Sequence, residues 1–70
     1  MDTIIATKSM QVERKFITIE FRENMRGRFL RITEEVHGRR NAIIIPSTGL
    51  AEFTAAIDEV LGQADNTPAA

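Results

Sequence analysis

Lys15-Phe16-Ile17-Thr18-Ile19-Glu20-Phe21-Arg22-Glu23 and Arg28-Phe29-Leu30-Arg31-Ile32-Thr33, joined by Asn24-Met25-Arg26-Gly27, decide the fold of this 70-residue chain. In the first run Ile17, Ile19 and Phe21 fall on odd positions, with Phe16, Thr18, Glu20 and Arg22 between them. That period of two belongs to an extended strand with one apolar face. In the second run Leu30 and Ile32 point one way, and Phe29, Arg31 and Thr33 the other. The four residues between the runs read as a hairpin turn in which Gly27 is free to take positive φ.

Upstream, Ile4, Ala6, Met10 and Val12 share one face of an extended segment, opposite Ile5, Thr7, Ser9, Gln11 and Glu13. Lys8 interrupts the apolar face and places this strand at an edge or a subunit contact. Downstream, residues 37–41 read as a loop and Ala42 to Ile45 as a β-branched strand stopped by Pro46. The period then changes. Ser47-Thr48-Gly49 reads as an N-cap cluster, and Glu52 adds negative charge to the first turn. Leu50, Phe53, Ile57, Val60 and Leu61 follow at helical spacing as one apolar stripe, which Gly62 is expected to end. The expected architecture is α+β, four antiparallel strands and one amphipathic helix. It forms a single domain over residues 1–62, followed by a frayed tail over 63–70.

Composition agrees with one small globular domain: 43% hydrophobic, 27% charged, and no apolar run longer than four residues. The expected location is cytoplasmic or nuclear, with no targeting signal, no secretion and no membrane partner. The absence of Cys removes disulfides, thiolate nucleophiles and cysteine-ligated zinc, and a lone His37 cannot build a catalytic triad or a zinc site. His37 reads as a solvated loop residue. Glu34-Glu35 and Asp58-Glu59 are chain neighbours that diverge in space and read as solubilising charge rather than acid/base pairs. The glycines are scattered and form no phosphate loop. No enzyme, cofactor, metal or small-molecule substrate is expected. A chain of this size rarely gains more than roughly 3–5 kcal/mol from one core. With neither disulfide nor metal to help, a homodimer is expected, the stripe of Leu50, Phe53, Ile57 and Leu61 packing largely on the partner's sheet.

The net charge of −1 conceals a division. All nine basic residues lie between Lys8 and Arg40 with five acids among them, an excess of four positive charges. Residues 41–70 hold four acids and no base. A polyanion meets the local field, not the average. One helix covers one sheet face, for which Ile17, Ile19, Phe21, Leu30 and Ile32 suffice, with Ile43 and Ile45 or Ile44. The open face then carries Phe16, Thr18, Arg22, Phe29 and Arg31, with Asn24 at its rim. Arginine binds phosphate and stacks on bases, and an exposed ring accepts a base. Pattern alone also allows Phe29 to be buried by another subunit and the arginines to form a solvated face.

Residues 23–34, Glu23-Asn24-Met25-Arg26-Gly27-Arg28-Phe29-Leu30-Arg31-Ile32-Thr33-Glu34, resemble the hairpin of the PUR repeat in Pur-alpha-like, purine-rich-element-binding proteins. Lys8 to Phe21 looks like that family's first two strands. Asn41 to Gly49 looks like its fourth strand and helix entry, so the resemblance spans roughly residues 5–61. It implies a ββββα repeat that binds single-stranded DNA or RNA, often G-rich, in transcription or RNA regulation. It also implies an intertwined pairing of two repeats. By the same resemblance Phe29 stacks on a base, Arg22 and Arg31 contact the strand, and Asn24 and Lys15 match the motif's asparagine and the basic residue opening the second strand. Arg26, in the turn, completes the expected site: Lys15, Arg22, Asn24, Arg26, Phe29 and Arg31. The chain departs from the family pattern in carrying Ile17 and Thr18 where aromatics are usual, and in placing Glu13 and Glu20 near the proposed track. The alternative function is a dimerisation or protein-interaction module with little nucleic-acid affinity. Alternation, independently of the resemblance, puts Phe29 outward, opposite Leu30 and Ile32.

Overall fold

The computed structural model describes residues 2–65. Four strands run in order, β1 (Thr3–Val12), β2 (Lys15–Asn24), β3 (Gly27–Val36) and β4 (Arg39–Pro46). A 3-10 turn (Ser47–Gly49) and helix α1 (Leu50–Asp65) follow. The sheet order is β1-β2-β3-β4, every pair antiparallel. Only two residues separate each strand from the next, and such links permit hairpins but no crossover. This is the expected ββββα fold, with β1 at an edge as Lys8 suggested.

Turn chemistry fixes the registers. In the β2–β3 turn the Asn24 side-chain oxygen Oδ1 accepts the Arg26 backbone N–H at 2.9 Å, and Gly27 adopts φ 129°, where a side chain would be strained. In the β3–β4 turn His37 and Gly38 both take positive φ, 51° and 79°, the signature of a type I′ hairpin. His37 is thus a turn residue. That turn is so tight that pairing resumes at once, Val36 with Arg39 and Glu35 with Arg40. The loop expected over residues 37–41 is therefore only two residues long, and Arg39, Arg40 and Asn41 belong to β4.

Two other expectations are corrected by backbone geometry. A bulge between Ile4 and Ala6 sets Ile4 opposite Arg22 and Ala6 opposite Phe21, so Ile4 leaves the apolar face that Ala6 keeps. The helix continues through Gly62 to Asp65, because an interior glycine costs only about 1 kcal/mol against alanine. Three residues assigned to the tail are therefore helical, and residues 66–70 lie outside the described residues. Ser47, Thr48 and Gly49 form the 3-10 turn itself rather than a cap. Pro46 precedes that turn, and no side chain caps it.

Register places Phe21, Leu30 and Ile45 across one row of the sheet and Ile19, Ile32 and Ile43 across the next, with Ile17 beside Met10. Ile44 belongs to the opposite face, beside Arg31. No described residue is fully buried. The helix leaves the sheet beside β4, near Ile45, and leaves most of the apolar face bare. Its own stripe is correspondingly open, with Ile57 43%, Val60 63% and Leu61 59% exposed.

Candidate nucleic-acid interface

The other face is a grid whose rows follow from strand register. Ile4, Arg22, Phe29 and Pro46 form one row; Thr7, Glu20, Arg31 and Ile44 the next. Ser9, Thr18, Thr33 and Ala42 follow, and then Gln11, Phe16, Glu35 and Arg40. A concavity of about 560 Å³ runs over this grid, with Phe16, Glu20, Arg22, Arg31 and Arg40 among its lining residues. That volume lies within the roughly 300–1,000 Å³ typical of ligand sites.

The three arginines of this face differ in their freedom. Arg22 Nη1 donates to Glu20 Oε1 at 3.2 Å, and Arg22 Nε stands 3.7 Å from Asp2 Oδ2, an ion pair too long to be a hydrogen bond. Arg40 Nε donates to Glu35 Oε1 at 2.8 Å, and that carboxylate raises the guanidinium's pKa further above its ordinary value. Arg31 faces Glu20 across the strands, yet no ion pair or hydrogen bond engages its side chain among the described residues. Its Nε is buried without a hydrogen-bond partner, as is the Nε of Arg22. A guanidinium so placed has donors to spare for phosphate or base.

The remaining expected site residues are placed as follows. Phe29 lies on this face between Arg22 and Pro46, as alternation required, and is half-buried. Asn24 is at the rim, its oxygen committed to the turn, and Arg26 is exposed in the turn itself. Lys15 stands on the opposite face beside Val12, where its Nζ approaches Glu34 Oε2 to 2.9 Å. That bond and the ammonium charge hold the Glu34 carboxyl below its usual pKa. The structure thus brings Arg22, Phe29 and Arg31 together, with Asn24 and Arg26 at one end, and separates Lys15 from them.

Three residues outside the expected set join the site. Phe16 is 43% exposed and lines the concavity, which makes it the more accessible of the two rings on this face. Arg40 enters through the β4 register, and Glu20 sits among the arginines. Period-two alternation carried Phe16 and Glu20 already, whereas Arg39-Arg40, read from sequence as a loop, adds phosphate contacts only if it reaches this face, and the extension of β4 to Arg39 is what places Arg40 there. Between the rings and the arginines, the hydroxyls of Ser9 and Thr18 hydrogen-bond at 3.1 Å, adding uncharged polar groups. Among the described residues no group of three or more His, Asp or Glu is arranged to hold a metal ion, and no helix is long and apolar enough to cross a membrane.

Comparison with known proteins gives the chain a family. The family described as PurA ssDNA and RNA-binding protein matches residues 2–67. The protein "Transcription factor Pur-alpha 1" of Arabidopsis thaliana is 40% identical over 52 residues, which is 74% of this chain and 18% of that protein. "Transcriptional activator plp-1" of Caenorhabditis elegans is 33% identical over 64 residues, 87% of this chain and 28% of that protein. The matched stretch of this chain therefore spans less than a third of the length of either relative. With a ββββα architecture, an arginine-bearing open face and a family match over nearly its whole length, the chain belongs to the PurA family of single-stranded DNA- and RNA-binding proteins.

Proposed function

We propose that this chain binds single-stranded DNA or RNA across the concave face of its sheet, in the nucleus or cytoplasm, in the service of transcription or RNA regulation. The observation that carries this reading is Arg31, a half-buried guanidinium with unengaged donors in a concavity that also presents an exposed ring. Arg31 and Arg22 supply phosphate contacts, and Phe16 and Phe29 supply surfaces on which bases stack. Asn24 and Arg26 extend the track along the β2–β3 turn. Lys15, on the far face, serves a strand only if the strand wraps the sheet edge. Guanine-rich strands are the first to try, because the resemblance of the hairpin motif implies them.

The same reading includes a homodimer. One chain presents an apolar sheet face that its own helix leaves largely uncovered and a helix stripe whose Ile57, Val60 and Leu61 are exposed, and a second copy supplies the complement of each. Leu50, Phe53, Ile57 and Leu61 then rest on the partner's Ile17, Ile19, Leu30 and Ile32. This bare apolar area also favours the second reading, a protein-interaction module of the same fold without useful affinity for nucleic acid. A fluorescence-anisotropy titration with labelled single-stranded oligonucleotides, DNA and RNA, separates the two. Binding that weakens steeply with salt is expected, with a slope near −0.7 for each phosphate neutralised. Absence of binding at low salt from a folded dimer, established by sedimentation, would favour the interaction module.

A further inference from the structure

Glu20 is an unexpected occupant of a surface meant for a polyanion. It is not a bystander at the rim, since it lies in the central row directly opposite Arg31 and lines the concavity. Its side chain is 18% exposed, and only Oε1 is engaged, by Arg22 Nη1 at 3.2 Å. No described group engages Oε2. We infer that Glu20 is a specificity-determining residue that selects guanine, reading the N1–H and N2–H edge of a base that Arg31 engages at O6 or N7. The inference rests on the proposed binding of single strands to this face.

The argument is one of donors and acceptors. A carboxylate only accepts hydrogen bonds, and each of its oxygens has two lone pairs, so the bond from Arg22 leaves room on Oε1 and all of Oε2. Guanine is the one standard base with two adjacent N–H donors on its Watson–Crick edge. Adenine and cytosine each set one exocyclic N–H beside a ring acceptor, and thymine and uracil set one N–H between two carbonyls. Against a half-buried carboxylate those acceptors are left facing a negative charge. Arg31, the cross-strand neighbour, supplies donors suited to guanine's O6 and N7, the edge that arginine most often reads. Arg22 holds the carboxylate in place from the other side. Acceptor and donor are therefore fixed next to each other by register, on one floor with Phe16 and Thr18.

The test compares bases at fixed ionic strength, where the phosphate contribution is common to all strands. Thymine-rich single strands carrying isolated guanines are titrated against the same strands with hypoxanthine or adenine at those positions. Hypoxanthine lacks only the N2 amine, and isolated guanines avoid quadruplexes. The wild-type chain is expected to bind the guanine strand about tenfold more tightly than the hypoxanthine strand. Glu20→Gln keeps an oxygen for Arg22 but turns an amide N–H toward a guanine donor, so it should abolish that difference and move preference toward adenine. Equal wild-type affinity for guanine and hypoxanthine strands would overturn the inference while leaving nucleic-acid binding intact. So would E20Q that strengthens binding to all three strands and preserves their ratio, since Glu20 would then act only as an electrostatic mask. Failure of the wild-type chain to bind any strand at low salt would instead overturn the proposed function, and the role of Glu20 with it.

Discussion

The two faces of this sheet are built from alternate residues of the same four strands, yet their unsatisfied chemistry is of opposite kinds. The Ile19–Ile32–Ile43 face is apolar and lacks a cover, whereas the Glu20–Arg31–Ile44 face is polar and has an arginine that lacks an acceptor. The first deficit is proportional to area and is relieved by any well-shaped apolar surface. The second is directional and is relieved only by an acceptor in the right place. One face is thus suited to an apolar cover and the other to a ligand that supplies hydrogen-bond acceptors.

The comparison breaks most readily at the helix. Phe53→Ala is expected to cost about 3–5 kcal/mol, the usual loss for an aromatic truncated in a packed site. Urea midpoint and sedimentation coefficient should fall together, the midpoint varying with protein concentration. A midpoint that does not move would mean that the stripe rests on nothing. On the polar face Arg31→Ala should weaken single-strand binding by about 1.5–3 kcal/mol, the range for bonds to a charged group. Its melting temperature should stay put, because no ion pair is lost. Arg22→Ala differs: it strands Glu20 and Asp2, so melting temperature and affinity should both decline. If the two variants behaved alike, the distinction between a free and an engaged arginine would be wrong.

The rings give a finer test. Phe16→Ala should remove about 1–3 kcal/mol of binding with little change in the melt, since that ring is already largely exposed. Phe29→Ala should lower binding and melting together, because its ring is half-buried beside Pro46. Loss of binding for Phe29→Ala alone, with Phe16→Ala silent, would move the stacking surface to the turn end of the sheet. The smallest effect belongs to Glu34 on the apolar side. Its folded-state pKa is depressed by Lys15, so the pair's contribution is present above the ordinary carboxylate pKa and is lost as pH falls through the lowered one. Glu34→Gln should flatten that part of a melt-versus-pH curve slightly. A curve unchanged by the substitution would show that solvent screens the pair entirely.

Strand number, the antiparallel arrangement and the orientation of Phe29 and Arg31 are all legible in the sequence, because period two and short polar links leave few alternatives. The misreadings were local as well. Ile4 changed face because one extra residue in β1 shifts parity, and nothing in Thr3-Ile4-Ile5-Ala6 announces a bulge. Arg39 and Arg40 looked like loop because charge and a glycine suggested one, but His37 accepted positive φ and closed the turn in two residues. Lys15 was grouped with the site through a motif, although its odd position already shared parity with Ile17 and Ile19.

Alternation along each strand determined which side chains share a face, since successive Cβ atoms must point to opposite sides of a sheet. The helical stripe after Pro46 was determined in the same way, by spacing within a single segment. Tertiary structure alone decided that Glu20 turns to Arg22 and leaves Arg31 unengaged, that Phe16 is more open than Phe29, and that Arg40 joins them. Glu20 and Arg22 share a strand, but which arginine takes the carboxylate depends, like the other outcomes, on the side chains that a neighbouring strand sets opposite, and those lie farther off in sequence. Periodicity within a segment carries no information about that distance. Strand register supplies it, and register here was set by three two-residue turns and one bulge.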